Sequence, residues 1–240
     1  MSGRLRWLGH STVVVDLDGV RIVTDPLLRR RVIHLRRDDE VEAPENVDIV
    51  LLSHLHYDHL DLPSLARIGV DTLVAVPLGG RKSLRGWEKV IEVEPGQTFE
   101  VGELRIRVVE AVHDGRRRRL GAPIPAVGYV LDGSHTVYFA GDTDIFEGMR
   151  DLGMLDLALL PIWGWGSSVG PGHLDPEGAA KALALIRPRV VVPIHWGTYH
   201  AIGSRDRGRE PADQFAVAAL QAAPDVDVRV LPVGGSLELE

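Results

Sequence analysis

The feature that most constrains this chain is a short apolar run that ends directly in a cluster of metal-binding side chains. Residues 47–52 are almost continuously apolar, which is typical of a strand buried on both faces. The next segment, residues 54–59, reads HLHYDH and supplies four potential ligands, His54, His56, Asp58 and His59. In extended backbone alternate side chains share a face, and a turn at Asp58 brings the last histidine around. The sequence therefore favours a metal site here over a solvated polar loop.

Three more polar residues stand at the ends of later apolar runs. They are His113 after residues 106–112, Asp142 just after residues 137–140, and His195 after residues 190–194. Open β/α sheets gather their ligands at the carboxyl ends of strands. One loop can hardly fill the coordination of two metals, so these three residues are predicted to supply the remaining ligands.

The order of strand and helix patterns indicates the α/β (α+β) class, with antiparallel strands followed by β-α alternation in each half. The predicted strands are 5–8, 13–15, 20–23, 47–52, 72–76, short strands within 90–112, 128–131, 136–140, 157–161 and 190–194. Helices are predicted at 61–66, 80–84, 145–152, 176–186 and 211–222, with Asp175 as the N-cap of the fourth. Residues 27–45 are expected to form a surface loop, with room for a short helix.

Length and composition set the outer limits. The 240 residues are 45% hydrophobic and 25% charged, as in ordinary globular domains, and we expect one domain over residues 1–240. No apolar stretch is long enough to span a bilayer and the start lacks a secretory pattern, so a cytoplasmic location is expected. The chain has no cysteine, which leaves histidine and carboxylate as the strong ligands for a transition metal.

The charge pattern bears on partners. A net charge of -7 counts against broad contact with nucleic acid, so none is expected, and the expected partner is a small-molecule substrate. Arginines cluster at residues 116–119 and at 29–31 with Arg36 and Arg37. Solvated loop charge is the favoured interpretation of both clusters, although guanidinium groups near His113 could also receive an anion.

These motifs together resemble the metallo-β-lactamase superfamily. The resemblance is carried by HLHYDH at residues 54–59, by the single His113, Asp142 and His195, and by TDP at residues 24–26. It implies a four-layer αββα sandwich, in which two mixed β-sheets carry helices on their outer faces. The segments GDT, GHLDPE and PIHWGT, at residues 141–143, 172–177 and 193–198, resemble the branch with N-acyl-phosphatidylethanolamine phospholipase D and L-ascorbate-6-phosphate lactonase.

The resemblance also implies a ligand set and a reaction. His54, His56 and His113 would hold one divalent metal ion, Asp58, His59 and His195 a second, with Asp142 bridging and Asp25 supporting. Zinc suits this set best, and manganese or iron is compatible. The implied function is hydrolysis of a small anionic ester, a phosphodiester or a lactone, by a hydroxide that the two metals activate and Asp58 orients. The absence of a cysteine ligand disfavours β-lactam hydrolysis.

Several nearby residues have two interpretations. His173 is a candidate catalytic residue that could protonate a leaving group, or it could serve packing near a helix N-terminus. His10 is left out of the ligand set because a structural histidine is at least as plausible there. Four aromatic residues could line a substrate pocket, but core packing is expected for at least half of them: Trp163, Trp165, Trp196 and Tyr199.

Two other functions compete with ester hydrolysis. A nuclease of the ribonuclease Z type would use a similar ligand set, but the acidic balance of the chain counts against it. A non-hydrolytic diiron redox protein is the second alternative, and such relatives carry a glutamate where this chain has His56. The natural substrate and the oligomeric state do not follow from the sequence.

Overall fold

A computed structural model describes residues 3–117, 121–164, 170–202 and 209–240. Within these ranges the first strands are β1 (Gly3–Gly9), β2 (Thr12–Leu17), β3 (Val20–Thr24), β4 (Arg31–Val32), β5 (Leu35–Arg36), β6 (Ile49–Leu51), β7 (Leu73–Pro77) and β8 (Val90–Val93). The later strands are β9 (Thr98–Val101), β10 (Leu104–Asp114), β11 (Pro125–Asp132), β12 (Thr136–Phe139), β13 (Leu157–Pro161), β14 (Val190–Ile194), β15 (His200–Ala201), β16 (Asp227–Val228) and β17 (Ser236–Leu239). The α-helices are α1 (Leu62–Ile68), α2 (Pro176–Ile186) and α3 (Glu210–Ala222).

The strands form two seven-stranded mixed sheets. The first has the order β17-β1-β2-β3-β6-β7-β8 and the second the order β16-β14-β13-β12-β11-β10-β9. In each sheet, antiparallel hairpin strands continue into parallel strands reached by crossover connections. This repeated arrangement confirms the predicted fold class, two mixed sheets in an αββα sandwich.

Alternation along the strands explains how the layers pack. Val13 and Val15 of β2 belong to an apolar cluster that also contains Tyr129 of the second sheet, so this cluster fills the space between the sheets. Val14 points the other way, into a cluster shared with Leu65 of α1. Side chains in a strand alternate between faces, so a sheet buried on both faces needs nearly continuous apolar runs such as residues 47–52.

The prediction of α2 is confirmed, because its end signals are local. The helix covers Pro176–Ile186, with Asp175 accepting a hydrogen bond from the Gly178 amide at 2.6 Å. A proline in the first turn costs no hydrogen bond, and Arg187 at φ +44° ends the helix in the left-handed conformation.

Three helix predictions are wrong, although residues 27–45 are mainly loop, as predicted. Residues 80–84 and 145–152 form only short 3-10 turns, Gly80–Ser83 and Glu147–Asp151. Both turns contain glycine, and segments this short do not repay the cost of nucleating an α-helix. Within residues 27–45 there is no helix; β4 and β5 form a small sheet with β15 in the order β15-β5-β4.

Among the described residues, no helix combines the length and the apolar character needed to cross a membrane.

Candidate metal centre

Three of the predicted ligands form one cluster, which we call the first pole: His54, His56 and His113. His54 Nε2 lies 3.0 Å from His56 Nδ1, and His113 Nε2 lies 3.1 Å from the same nitrogen. Tetrahedral zinc with nitrogen ligands at about 2 Å would space those nitrogens by about 3.3 Å. Three imidazole nitrogens aimed at one point therefore have the spacing of ligands around a cation.

Three more predicted ligands form the second pole: Asp58, His59 and His195. Asp58 Oδ2 lies 3.6 Å from His59 Nε2 and 3.8 Å from His195 Nε2. Both histidines are fully buried, whereas the Asp58 side chain is 20% exposed. The second pole thus combines two imidazoles with one carboxylate.

Asp142 lies between the two poles. Its Oδ2 is 3.3 Å from His59 Nε2 in the second pole and 4.0 Å from His54 Nε2 in the first. Its Oδ1 is 3.4 Å from His195 Nε2. A buried carboxylate in contact with both groups has the position of a bridging ligand.

Unsatisfied atoms provide a test of whether these residues fit a metal. His59 Nε2 and Asp142 Oδ1 are buried and make no hydrogen bond within the described part of the chain. Buried polar atoms without hydrogen bonds are rare in folded proteins and need an explanation. A divalent cation would satisfy both atoms, and the nitrogen and oxygen donor set fits zinc, manganese or iron.

One buried carboxylate supports histidines of both poles. Asp25 accepts hydrogen bonds from the Ser53 amide at 2.7 Å, from Ser53 Oγ at 2.5 Å and from His59 Nδ1 at 2.7 Å. Because Ser53 Oγ gives its proton to Asp25, it accepts the hydrogen bond from His54 Nδ1, 2.9 Å away. Both histidines are therefore held with Nε2 directed at the centre, as expected for metal ligands.

Backbone carbonyls fix two other histidines in the same way. His113 Nδ1 donates to the Gly172 carbonyl at 2.8 Å, and His195 Nδ1 donates to the Trp163 carbonyl at 2.6 Å. A carbonyl only accepts hydrogen bonds, so each Nδ1 carries the proton and each Nε2 presents its lone pair to the centre.

The electrostatics separate the poles further. Burial lowers the pKa of His54 and His56, and it lowers the pKa of His113 to about 4, so the first pole consists of neutral imidazoles. Burial also disfavours charge on His59, but Asp142, Asp58 and Asp25 outweigh it and raise its pKa well above the usual value. The preference for positive charge is thus concentrated at His59, because burial lowers the pKa of His195, the other histidine of the second pole.

The carboxylates respond in the opposite sense. Burial opposes ionisation of Asp58 and Asp142, yet the surrounding histidines outweigh it and hold the pKa of both carboxyls well below the usual range. Both side chains are consequently ionised and available as ligands.

His10 is the residue at this centre that the sequence analysis left out. It is fully buried, its Nε2 lies 3.2 Å from Asp58 Oδ2, and its ring centroid lies 4.0 Å from that of His195. The signal was available, because His10 directly follows the carboxyl end of β1 at Gly9. The same strand-end rule that selected His113 and His195 would have selected it.

His173 lies at the rim of the centre. Its side chain is 27% exposed, its Nε2 lies 3.6 Å from Asp142 Oδ2, and its ring centroid is 4.6 Å from that of His113. The position allows contact with a bound substrate next to the first pole.

The three aromatic candidates that the structure describes pack in or against the core, which confirms the expectation of core packing for at least half of the four. Trp196 is buried and stacks on Trp7 with ring centroids 5.2 Å apart, and Tyr199 is buried in a small core cluster. Trp163 is half-buried against the main core, and Trp165 lies outside the described residues.

The arginines after His113 serve local structure where they are described. Arg116 pairs with Asp114, and Arg117 donates to the carbonyls of Leu55 and Leu60 while lying 4.0 Å from the Tyr57 ring centroid. Arg117 thereby braces the loop that carries the ligands at residues 54–59. The remaining members of this cluster, Arg118 and Arg119, lie outside the described residues.

Comparisons with known proteins agree with this geometry. A family profile described as a beta-lactamase superfamily domain matches residues 20–196. A UPF0173 metal-dependent hydrolase of Methanopyrus kandleri is 36% identical over 247 residues, covering 98% of this chain and 99% of that protein. A second UPF0173 metal-dependent hydrolase, from Koribacter versatilis, is 33% identical over 210 residues and covers 82% of this chain and 85% of its own length.

Solved structures show the same fold. The metallo hydrolase Igni18 of Ignicoccus hospitalis superposes with a TM-score of 0.73 at 25% identity and covers 100% of this chain and 99% of its own. An isothiocyanate hydrolase from Delia radicum gut bacteria reaches a TM-score of 0.75 at 17% identity, covering 98% of both chains. The fold, the clustered ligands and the family match agree, and the chain belongs to the metallo-β-lactamase superfamily, among the UPF0173 metal-dependent hydrolases.

Proposed function

We propose that this chain is a hydrolase whose single domain, residues 1–240, uses two divalent metal ions to cleave a small anionic ester, either a phosphodiester or a lactone. The observation that carries the proposal is the position of Asp142. Its buried carboxylate contacts His54 of the first pole and both histidines of the second pole. A site built for one cation would have no need of a second complete set of ligands.

The residues have distinct proposed roles. The first and second poles would each hold one cation, and when bound the two cations supply an acidified water as nucleophile and polarise the electrophile. Asp58 is more exposed than Asp142, 20% against 3% of the side chain, which supports a role for Asp58 in accepting a hydrogen bond from the attacking water. The position of His173 at the open rim supports a role in donating a proton to the leaving oxygen.

The charge of the loaded centre is compatible with an anionic substrate. Two bound dications would offset the three carboxylates Asp25, Asp58 and Asp142 together with the attacking hydroxide, so the centre would carry no net negative charge, although the whole chain carries -7. The resemblance of residues 141–143, 172–177 and 193–198 to the phospholipase D and lactonase branch narrows the class to phosphodiesters and lactones.

The proposal is tested by hydrolysis of bis(p-nitrophenyl) phosphate and of a simple lactone with zinc-loaded and manganese-loaded protein. The test variant is Asp142→Asn, and the matched control is Asp132→Asn, a half-buried carboxylate that is paired with Arg107 and belongs to neither pole. We expect metal-dependent turnover of one ester class in the wild type and the control, and its loss in Asp142→Asn. Protein that holds two cations and cleaves neither ester would contradict the proposal.

The role of His173 is tested separately with His173→Ala, using the exposed His34→Ala as the control. Removal of a general acid should lower kcat about 100-fold while metal content stays unchanged. Wild-type turnover in His173→Ala, or a parallel loss of metal, would reject the role.

A further inference from the structure

His10 is held in place by three backbone-level contacts. Its amide donates to Thr198 Oγ1 at 2.8 Å, and its carbonyl accepts from Trp7 Nε1 at 2.8 Å and from the His195 amide at 3.0 Å. The residue has φ +52°, a left-handed conformation that is uncommon outside glycine and costs free energy. Such a conformation persists only where the surroundings over-determine it, and here they do.

The neighbouring glycine explains how the turn reaches the centre. Gly9 has φ +106°, and a Cβ there would lie 2.6 Å from Thr198 Cγ2. Glycine therefore allows the β1–β2 turn to pack directly on residues 195–198, the loop that carries His195. The turn thus brings the His10 imidazole to the second pole, although the preceding strand, β1, supplies no predicted ligand.

The side chain of His10 meets polar groups of the site. Its Nε2 lies 3.2 Å from Asp58 Oδ2, the same oxygen that faces His59 Nε2 at 3.6 Å and His195 Nε2 at 3.8 Å. The ring is also tilted against His195 at 4.0 Å between centroids. A residue kept only for packing would not need a nitrogen aimed at a ligand carboxylate.

We propose that His10 is a positioning residue whose Nε2–H, 3.2 Å from Asp58 Oδ2, donates to that oxygen when a cation occupies the second pole and so holds the carboxylate as a ligand. This inference rests on the proposed function, because it assumes a cation at the second pole. A carboxylate on a loop can rotate about its last bond, and one directed donor fixes its plane. Partners of this kind orient ligands, and their loss typically weakens metal affinity about 10-fold to 100-fold.

The test compares His10→Phe, which fills the volume without a donor, with His10→Gln, which keeps an N–H donor. Zinc dissociation constants are measured by competition with a chelator, in the wild-type background and in His113→Gln, where the first pole is disabled. His200→Gln is the matched control, because His200 is buried on β15 and outside both poles. The melting temperature of each metal-free variant reports on packing alone.

We expect His10→Phe to weaken zinc binding at the second pole by about 10-fold to 100-fold, with the first pole unchanged. His10→Gln should recover most of that loss, and His200→Gln should bind zinc like the wild type. Unchanged binding in His10→Phe would overturn the inference and leave the proposed function standing. Equal losses in both His10 variants, accompanied by equal drops in melting temperature, would assign His10 to packing. A wild-type protein without zinc at the second pole would contradict the proposed function together with the inference.

Discussion

The two poles of the candidate metal centre contain three predicted ligands each, but the protein holds them in different ways. The first pole has only imidazoles, and two of them, His56 and His113, are half-buried. The second pole is more buried and includes Asp58, and His59 in this pole donates a hydrogen bond to Asp25. Burial and carboxylate charge together favour tight cation binding. We therefore expect the second pole to bind its metal more strongly, and the first pole to exchange metal more readily beside the open rim.

Acid should destabilise the metal-free protein through its buried histidines, because burial lowers the pKa of His10 to about 3 and that of His113, in the first pole, to about 4. The pKa of His113 is lowered to about 4 in the folded protein, against about 6.5 when unfolded, so the unfolded chain binds more protons in this window. Stability of the metal-free protein is consequently lost as pH falls from 6.5 towards 4, by up to roughly 3 kcal/mol for this group alone. The contribution of His59 to folding stability depends on pH in the opposite direction. Because its pKa is raised, that contribution is fully present below pH 6.5 and is lost as the pH rises.

The measurement is urea unfolding of metal-free wild type and His113→Gln at pH 7 and pH 4.5. The variant should lose less stability between the two pH values than the wild type does. An identical loss in both proteins would show that His113 does not titrate as described.

Asp142→Asn should impair both poles, because the carboxylate contacts each of them. We expect loss of at least one cation per chain and a fall in kcat/KM of about 100-fold. Metal content and steady-state kinetics are measured, with Asp132→Asn as the control outside both poles. If the variant retained two cations and normal turnover, Asp142 would not be a bridging ligand.

Asp25→Asn should weaken the second pole more than the first. The substitution removes the charge that faces His59 Nδ1 at 2.7 Å, so affinity at the second pole should fall about 10-fold to 100-fold. Chelator competition measures it, with Asp16→Asn as a control, since Asp16 pairs with Arg21 at the surface. A larger effect at the first pole would reverse the proposed ranking of the poles.

Ser53→Ala should change metal affinity least among these variants, and it should weaken the first pole rather than the second. Ser53 Oγ accepts from His54 Nδ1, so its loss frees that ring to change tautomer and weakens the first pole by no more than about 10-fold. The same chelator titration distinguishes the poles. Weaker binding at the second pole alone would show that Ser53 acts chiefly through Asp25.

The sequence predicted the parts of this centre that depend on local signals. Three of its predicted ligands, His113, Asp142 and His195, follow or end apolar strands, and the strand-end rule needs no knowledge of distant contacts. Helix α2 was equally predictable from the sequence, since Asp175 and Pro176 mark its start within a few residues.

The parts that sequence reasoning missed depend on long-range packing. The place of His10 at the end of β1 was visible in the sequence, but its approach to the second pole depends on the docking of the β1–β2 turn on the loop after β14 through Thr198, a contact that no local pattern encodes. Likewise, the sheet of β4, β5 and β15 joins segments far apart in the chain, so the loop at residues 27–45 gave no sign of it.

The most direct test of this account is a zinc titration of metal-free protein in which bound metal and ester hydrolysis are followed together. Two cations per chain, the tighter at the second pole, with hydrolysis rising only as the second equivalent binds, is the result predicted. Full hydrolysis at one equivalent, with no further binding, would contradict the dinuclear site.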